Sequence, residues 1–161
     1  MRKLKNKFKE KIYIDDLKRV LAYGFLNMLL FSVLAGALQF FAYSYLHLGF
    51  GILVYLFAFM IGKKISESFF NYHPLYPLLA VLFFIIGYFI YNITLYVFMC
   101  HNFVQGVRYI FEYAGIMNTI LAFLNPLTYT SALGIFNNIM DILIILFGLA
   151  TAYELPKRKD R

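Results

Sequence analysis

The chain has 161 residues, of which 62% are hydrophobic and only 14% are charged, and its net charge is +7. Soluble domains are about half apolar and about a quarter charged, and a soluble protein of this size could not cover so much apolar surface. The composition therefore excludes an ordinary soluble domain and predicts a single-domain integral membrane protein. The single Cys100 excludes an internal disulfide and a cysteine cluster for a metal.

Four long apolar runs predict an all-α fold with four transmembrane helices, at about 20–45, 48–65, 75–99 and 132–153. Helices are expected because backbone groups in hydrocarbon must be paired within their own segment. A span needs about 20 apolar residues. The second run is the shortest and ends at Lys63 and Lys64. A span there must therefore include residues of the turn before it or Ile65, and the two lysine side chains would extend to the membrane interface.

The basic residues predict the orientation. Of the 15 Lys and Arg residues, all but Arg108 lie before the first run, between the second and third, or after the fourth. With four spans, Arg108 is the only one on the opposite side. Because cytoplasmic loops are enriched in Lys and Arg, we predict that both termini are cytoplasmic and that the protein resides in the plasma (inner) membrane.

The stretch between the third and fourth runs predicts an amphipathic outer helix at about 103–117. Its apolar set is Phe103, Val107, Ile110, Ala114 and Met117, and its polar set is Gln105, Arg108 and Glu112. Such a helix lies on the outer membrane surface, dips partway into it, or packs over the bundle. A fifth span at Phe103–Leu124 is the alternative, but it would bury Arg108 and Glu112 in lipid at roughly 2–3 kcal/mol each.

Both chain ends are basic, at residues 1–19 and 154–161. In the first segment Leu4, Phe8 and Ile12 are spaced by four, which predicts an amphipathic cationic helix on anionic lipids of the cytoplasmic leaflet. Nucleic-acid binding is the competing interpretation of the net charge. We do not expect it, because the topology already explains where the cations lie.

Asp141 is the most informative single residue, because it lies near the middle of the fourth run, where an ionised carboxylate is costly. A helical wheel places Asn137, Asn138 and Asp141 on one side with Gly148 and Ala152, which predicts that this side faces the bundle or a wet cavity. Two interpretations stay open. The three polar residues form an ion, proton or substrate site, or they form a polar clasp that fixes helix packing or binds a partner subunit.

Small and polar residues also predict packing seams. In the first run Ser32, Gly36, Gln39 and Tyr43 share one face, and in the fourth run Gly148 and Ala152 form a small-x-x-x-small pair that permits close helix approach. Hydrogen bonds across such seams suit assembly as well as transport.

The function predicted from these features is non-catalytic. No catalytic or phosphate-binding motif occurs, so we expect no enzyme activity, cofactor or metal. The four runs enclose little interior, which favours an accessory or assembly subunit of a larger membrane complex. The alternative is a small homo-oligomeric transporter or channel with Asp141 on its pathway.

One segment resembles a known pattern. Residues 51–65, from Gly51-Ile52-Leu53 to Met60-Ile61-Gly62-Lys63-Lys64-Ile65, precede a short polar loop and a new apolar run. This arrangement is similar to small uncharacterised bacterial four-helix membrane proteins, in which a helix ends in Ile-Gly, a basic residue and another aliphatic residue. The resemblance covers about residues 20–97. It implies a four-helix membrane fold and carries no known active site.

Overall fold

The computed structural model describes residues 12–46, 51–109, 111 and 132–158. These ranges contain five helices, α1 (Ile14–Leu46), α2 (Ile52–Ser68), α3 (Leu75–Cys100), α4 (Phe103–Tyr109) and α5 (Ala132–Lys157). No strand occurs in the described ranges, so the predicted all-α class is confirmed. Three segments are long and apolar enough to cross a membrane, namely α1, α3 and Ile139–Lys157 of α5. These apolar helices indicate a membrane location.

Several helix ends differ from the apolar runs. Helix α1 begins at Ile14 rather than near residue 20, α2 spans Ile52–Ser68 rather than 48–65, and α5 continues to Lys157 rather than ending near 153. These extensions are polar, and ion pairs one turn apart support two of them. Lys64 pairs with Glu67 at 3.1 Å, and Lys157 pairs with Glu154 at 2.9 Å. Hydropathy marks where a helix becomes polar, which is not where its backbone hydrogen bonding stops.

Two predicted segments are described only in part. The basic segment 1–19 is described from residue 12, and its last six residues, 14–19, belong to α1. The predicted amphipathic helix at 103–117 is described as α4 and at residue 111, and the rest of it lies outside the described residues. Helix α4 packs against the end of α3, since Gly106 lies against Val97 and the rings of Tyr96 and Tyr109 are 4.7 Å apart.

The four long helices form a ring. Helix α1 packs against α2 and α3, α5 packs against the same two helices, and α1 and α5 lie across the bundle from each other. Large apolar side chains fill the interior, among them Met28, Phe57 and Phe84. Gly87 of α3 lies directly against Phe57 of α2 and Met28 of α1, so a side chain there would collide with Phe57. Three helices can therefore approach closely at this point.

One end of the bundle gathers the start of α1, the α2–α3 loop and the end of α5. Asp16 of α1 accepts hydrogen bonds from the loop, and Gly62 near the end of α2 lies against Ala152 and Leu155 of α5. The basic residues of the described chain, apart from Arg108, therefore lie at this end. Helices α2 and α5 run parallel, because Gly51 at the other end of α2 lies against Ile144.

Candidate functional site

Asp141 lies on the surface of the single chain, at the edge between α5 and α3. Its side chain is exposed, and its carboxyl group is within electrostatic range of the hydroxyl groups of Tyr88 and Tyr91 on α3. Those two tyrosine rings stack at 5.9 Å. Because Tyr88 and Tyr91 lie near the middle of α3, Asp141 is at about the mid-depth of the helices.

The helical wheel predicts that Asp141 faces the bundle or a wet cavity, and in the single chain its side chain is exposed. Gly148 and Ala152, which were expected on the same face, are buried, whereas Asp141 is exposed. The physical reason is the shortness of α2. Gly51, just before α2 begins, lies against Ile144, so about three turns of α5 extend beyond α2. Among the described residues, α2 does not extend alongside those turns of α5.

Asn137 and Asn138 lie in the same extension of α5, but their side chains lie outside the described part of the structure. Their predicted grouping with Asp141 stays a prediction. They occupy positions one helical turn before Asp141, where i and i+3 or i+4 side chains share a face.

Several apolar side chains in the turns of α5 before and after Asp141 are also exposed. The largest are Phe136 and Phe147, 60% and 63% exposed, and Met140 and Leu143 are also exposed. Only 17% of the apolar window of α5 is buried in the chain, against 33% for α1 and 28% for α3. Among the three candidate spans in the described residues, the one in α5 is therefore the least covered, and its outer surface around Asp141 is called the α5 face below.

The predicted seam on α1 is buried against the bundle. Ser32, Gly36 and Gln39 are all buried, whereas Tyr43 is 53% exposed. Gly36 lies against the backbone carbonyl oxygen of Tyr91 and the side chain of Thr94. Ser32 Oγ donates to Leu29 O within its own helix at 3.1 Å. The Gln39 side-chain oxygen is buried and has no hydrogen-bond partner among the described residues.

The predicted small pair on α5 lies at two different helix contacts. Gly148 lies against the ring of Phe84 on α3. Ala152 is fully buried, and its Cα lies 3.3 Å from the position that a Cβ of Gly62 would occupy. Gly62 belongs to α2, so the two small residues let α5 approach two neighbouring helices.

The sequence interpretation missed a polar site around Asp16. The side chain of Asp16 is 4% exposed, and Oδ2 accepts hydrogen bonds from the backbone N–H of Phe70 at 3.3 Å and from that of Asn71 at 2.9 Å. Beside it, the rings of Phe69 and Tyr76 lie 4.8 Å apart. Asp16 lies in a segment whose lysines were interpreted only as a topology signal. Its partners are residues 70 and 71, which are too distant in the sequence for a periodic pattern to reveal the contact.

A second site that the sequence interpretation missed is a cleft at the same end. It lies between α1 and α2 and contains the basic side chains of Arg19 and Lys64. No group of three or more His, Cys, Asp or Glu residues suited to a metal ion occurs in the described ranges.

The chain was also compared with known proteins. No protein-family model, curated protein or solved structure matches it.

Proposed function

We propose that the chain is a four-span protein of the plasma membrane with both termini on the cytoplasmic side. Helix α2 supports this topology, because it runs alongside α5 between the same two ends of the bundle. A chain that crosses the membrane through α1 and crosses again through α3 must return between them, and α2 is the segment that makes this return.

The length of α2 is compatible with a crossing. Its 17 residues extend about 26 Å, against a hydrocarbon thickness of about 30 Å. Lys63 is exposed near its end, where a long cationic side chain can reach the headgroups, and the bilayer can thin locally at modest cost. The basic segment 1–19 would then lie at the cytoplasmic leaflet with its anionic lipids.

The proposed activity is assembly without catalysis, as an accessory subunit that presents the α5 face to another membrane protein. The observation that carries this proposal is the exposed carboxyl group of Asp141 at mid-depth on the least covered helix. Such a group costs roughly 2.5–3.5 kcal/mol in hydrocarbon. A partner helix that supplies a donor or a cation removes this cost and covers the surrounding apolar side chains.

A homo-oligomeric transporter or channel is the second candidate. The hydroxyl groups of Tyr88 and Tyr91, which are within electrostatic range of Asp141, favour it, because an intramembrane acid with polar neighbours is typical of ion and proton pathways. The interior of the single chain is filled by Met28, Phe57 and Phe84, so a pathway would run between copies with the α5 faces turned toward it.

The mass of the complex that purifies with the chain distinguishes the accessory subunit from the homo-oligomeric transporter or channel. The chain is extracted in mild detergent and weighed by native mass spectrometry as wild type, Asp141→Asn, Asp141→Leu and Asn27→Leu. The last variant is the matched control, since Asn27 is polar and in a spanning helix but donates to Tyr23 O of its own helix at 2.7 Å.

The assembly proposal expects a complex with a different protein in wild type, Asp141→Asn and Asn27→Leu, and its loss in Asp141→Leu. A particle made only of several copies of this chain would favour the transporter. A wild-type monomer in detergent and in lipid nanodiscs would contradict both.

A further inference from the structure

A cleft of about 370 Å³ opens between α1 and α2 at the basic end of the bundle. It is separate from the α5 face, because α1 and α5 lie across the ring from each other. It is lined by Arg19, Tyr23, Lys64, Glu67, Ser68 and Phe70, and all of these except Phe70 carry a polar group.

The two cations of the cleft differ in their partners. The guanidinium of Arg19 lies over the ring of Phe70, 5.2 Å from the ring centre, and no carboxylate pairs with it among the described residues. Lys64 pairs with Glu67 at 3.1 Å, but both side chains are about half exposed, so this pair contributes little. Among the described residues, Arg19 therefore packs on an aromatic ring, and no carboxylate of this part of the chain occupies its donors.

The cleft lies at the boundary between apolar and polar chain. Arg19 directly precedes the apolar run that begins at Val20, and Lys64 follows the run that ends at Gly62. One turn deeper, Tyr23 is 56% exposed, and tyrosine is enriched at the headgroup level of membranes. In a bilayer the two cations would therefore lie beside lipid phosphates rather than in bulk water.

We propose that this cleft binds the phosphate group of an anionic phospholipid from the cytoplasmic leaflet. The Arg19 guanidinium can donate two parallel hydrogen bonds to phosphate oxygens, Lys64 supplies a second cation, and the Tyr23 hydroxyl can donate a further bond. The negative charge of Glu67 repels the phosphate and weakens binding. The proposal rests on the membrane placement and not on the assembly role of the α5 face.

The test is lipid binding by the full chain. Delipidated protein in detergent is titrated with phosphatidylglycerol and followed by native mass spectrometry. Arg19→Gln and Lys64→Gln each remove a cation from the cleft. Lys18→Gln and Lys63→Gln are matched controls, since these neighbouring lysines are exposed, carry the same charge and do not line the cleft.

We expect each cleft variant to bind phosphatidylglycerol about tenfold more weakly, which corresponds to the loss of a hydrogen bond to a charged group. Each control should change binding by less than about twofold, as exposed charges do. Equal weakening in the cleft variants and the controls would mean that general surface charge attracts the lipid, and it would overturn the proposal. Undiminished binding by Arg19→Gln and Lys64→Gln would do the same.

A gain-of-binding variant makes the test independent of folding defects. Glu67→Gln removes the carboxylate that competes for Lys64, so it should bind phosphatidylglycerol more tightly than wild type. A Glu67→Gln variant that binds no tighter would overturn the proposal. Inorganic phosphate is the last probe: if it displaces the lipid at equal concentration, a free anion rather than a lipid is the ligand, and the proposal is wrong.

Discussion

The carboxylate of Asp16 accepts a 2.9 Å hydrogen bond from the backbone N–H of Asn71, 55 residues further along the chain. The neighbouring N–H of Phe70 donates to the same oxygen at 3.3 Å. Two backbone donors in the loop before α3 are thus paired by the first turn of α1. This contact holds the start of α1, the end of α2 and the start of α3 at one end of the bundle.

Replacing Asp16 should therefore loosen that end. Asp16→Ala leaves the two loop donors without their acceptor in a buried position, which should lower the free energy of unfolding by about 1–3 kcal/mol. Denaturation in mixed detergent micelles, followed by circular dichroism, measures it. Asp15→Ala is the matched control, because Asp15 is the adjacent acid and is exposed. Equal losses in the two variants would contradict the assigned role of Asp16.

The close helix contacts predict an order of stability for two glycine substitutions. At Gly36 a Cβ would lie 2.7 Å from the backbone oxygen of Tyr91, whereas at Gly62 the nearest atom is Leu155 Cδ1 at 3.0 Å. A backbone atom cannot move aside as a side-chain methyl can. Gly36→Ala should therefore destabilise by about 1–3 kcal/mol, partly offset by the better helix propensity of alanine.

Gly62→Ala should be less destabilising, or close to neutral. The same micelle denaturation assay compares the two alanine variants directly. Because both substitutions are Gly→Ala in a helix, the difference between them reports the contact alone. If Gly62→Ala is the less stable of the two, the packing assigned to α1 and α3 at Gly36 is wrong.

The proposed orientation predicts which positions a membrane-impermeant thiol reagent can reach. In a Cys100→Ser background, single cysteines replace Lys63, Gln105 or Arg158, all of which are exposed. In intact cells only the cysteine at Gln105 should react, because it alone is predicted to face outside. Labelling after the cells are opened is the control for reactivity. Reaction of the cysteine at Arg158 in intact cells would exclude an even number of spans.

Hydropathy alone predicts much of this fold, because apolar length and periodicity depend on local sequence. The run at 75–99 matches α3 to within one residue, and Ser32, Gly36 and Gln39 are buried on the face they share. The sequence assigns Asp15, Asp16, Lys18 and Arg19 to a separate cationic segment, and it does not predict that they continue the first spanning helix as the start of α1. The contact of Asp16 with residues 70 and 71 has no local pattern that records it.

The exposure of Asp141 has a similar explanation. A helical wheel assigns one inward face to the whole of a helix, and it is correct for Gly148 and Ala152. Asp141 is exposed in the single chain, and among the described residues the neighbouring helix α2 begins only level with Ile144. Which part of α5 is covered therefore depends on the length of α2. The helical wheel of α5 contains no information about the length of α2.

The central claim is that another protein covers the α5 face in the membrane. Its most direct test is photocrosslinking in intact membranes from a photoreactive residue at Met140, beside Asp141, compared with one at Leu34 of α1. Both positions are exposed, at 40% and 51%, and α1 and α5 lie across the bundle from each other. We predict a crosslink to a different membrane protein from position 140, its absence at position 34, and its loss when Asp141→Leu is added. Crosslinks from position 140 to lipid alone, or equal protein crosslinks from both positions, would contradict the claim.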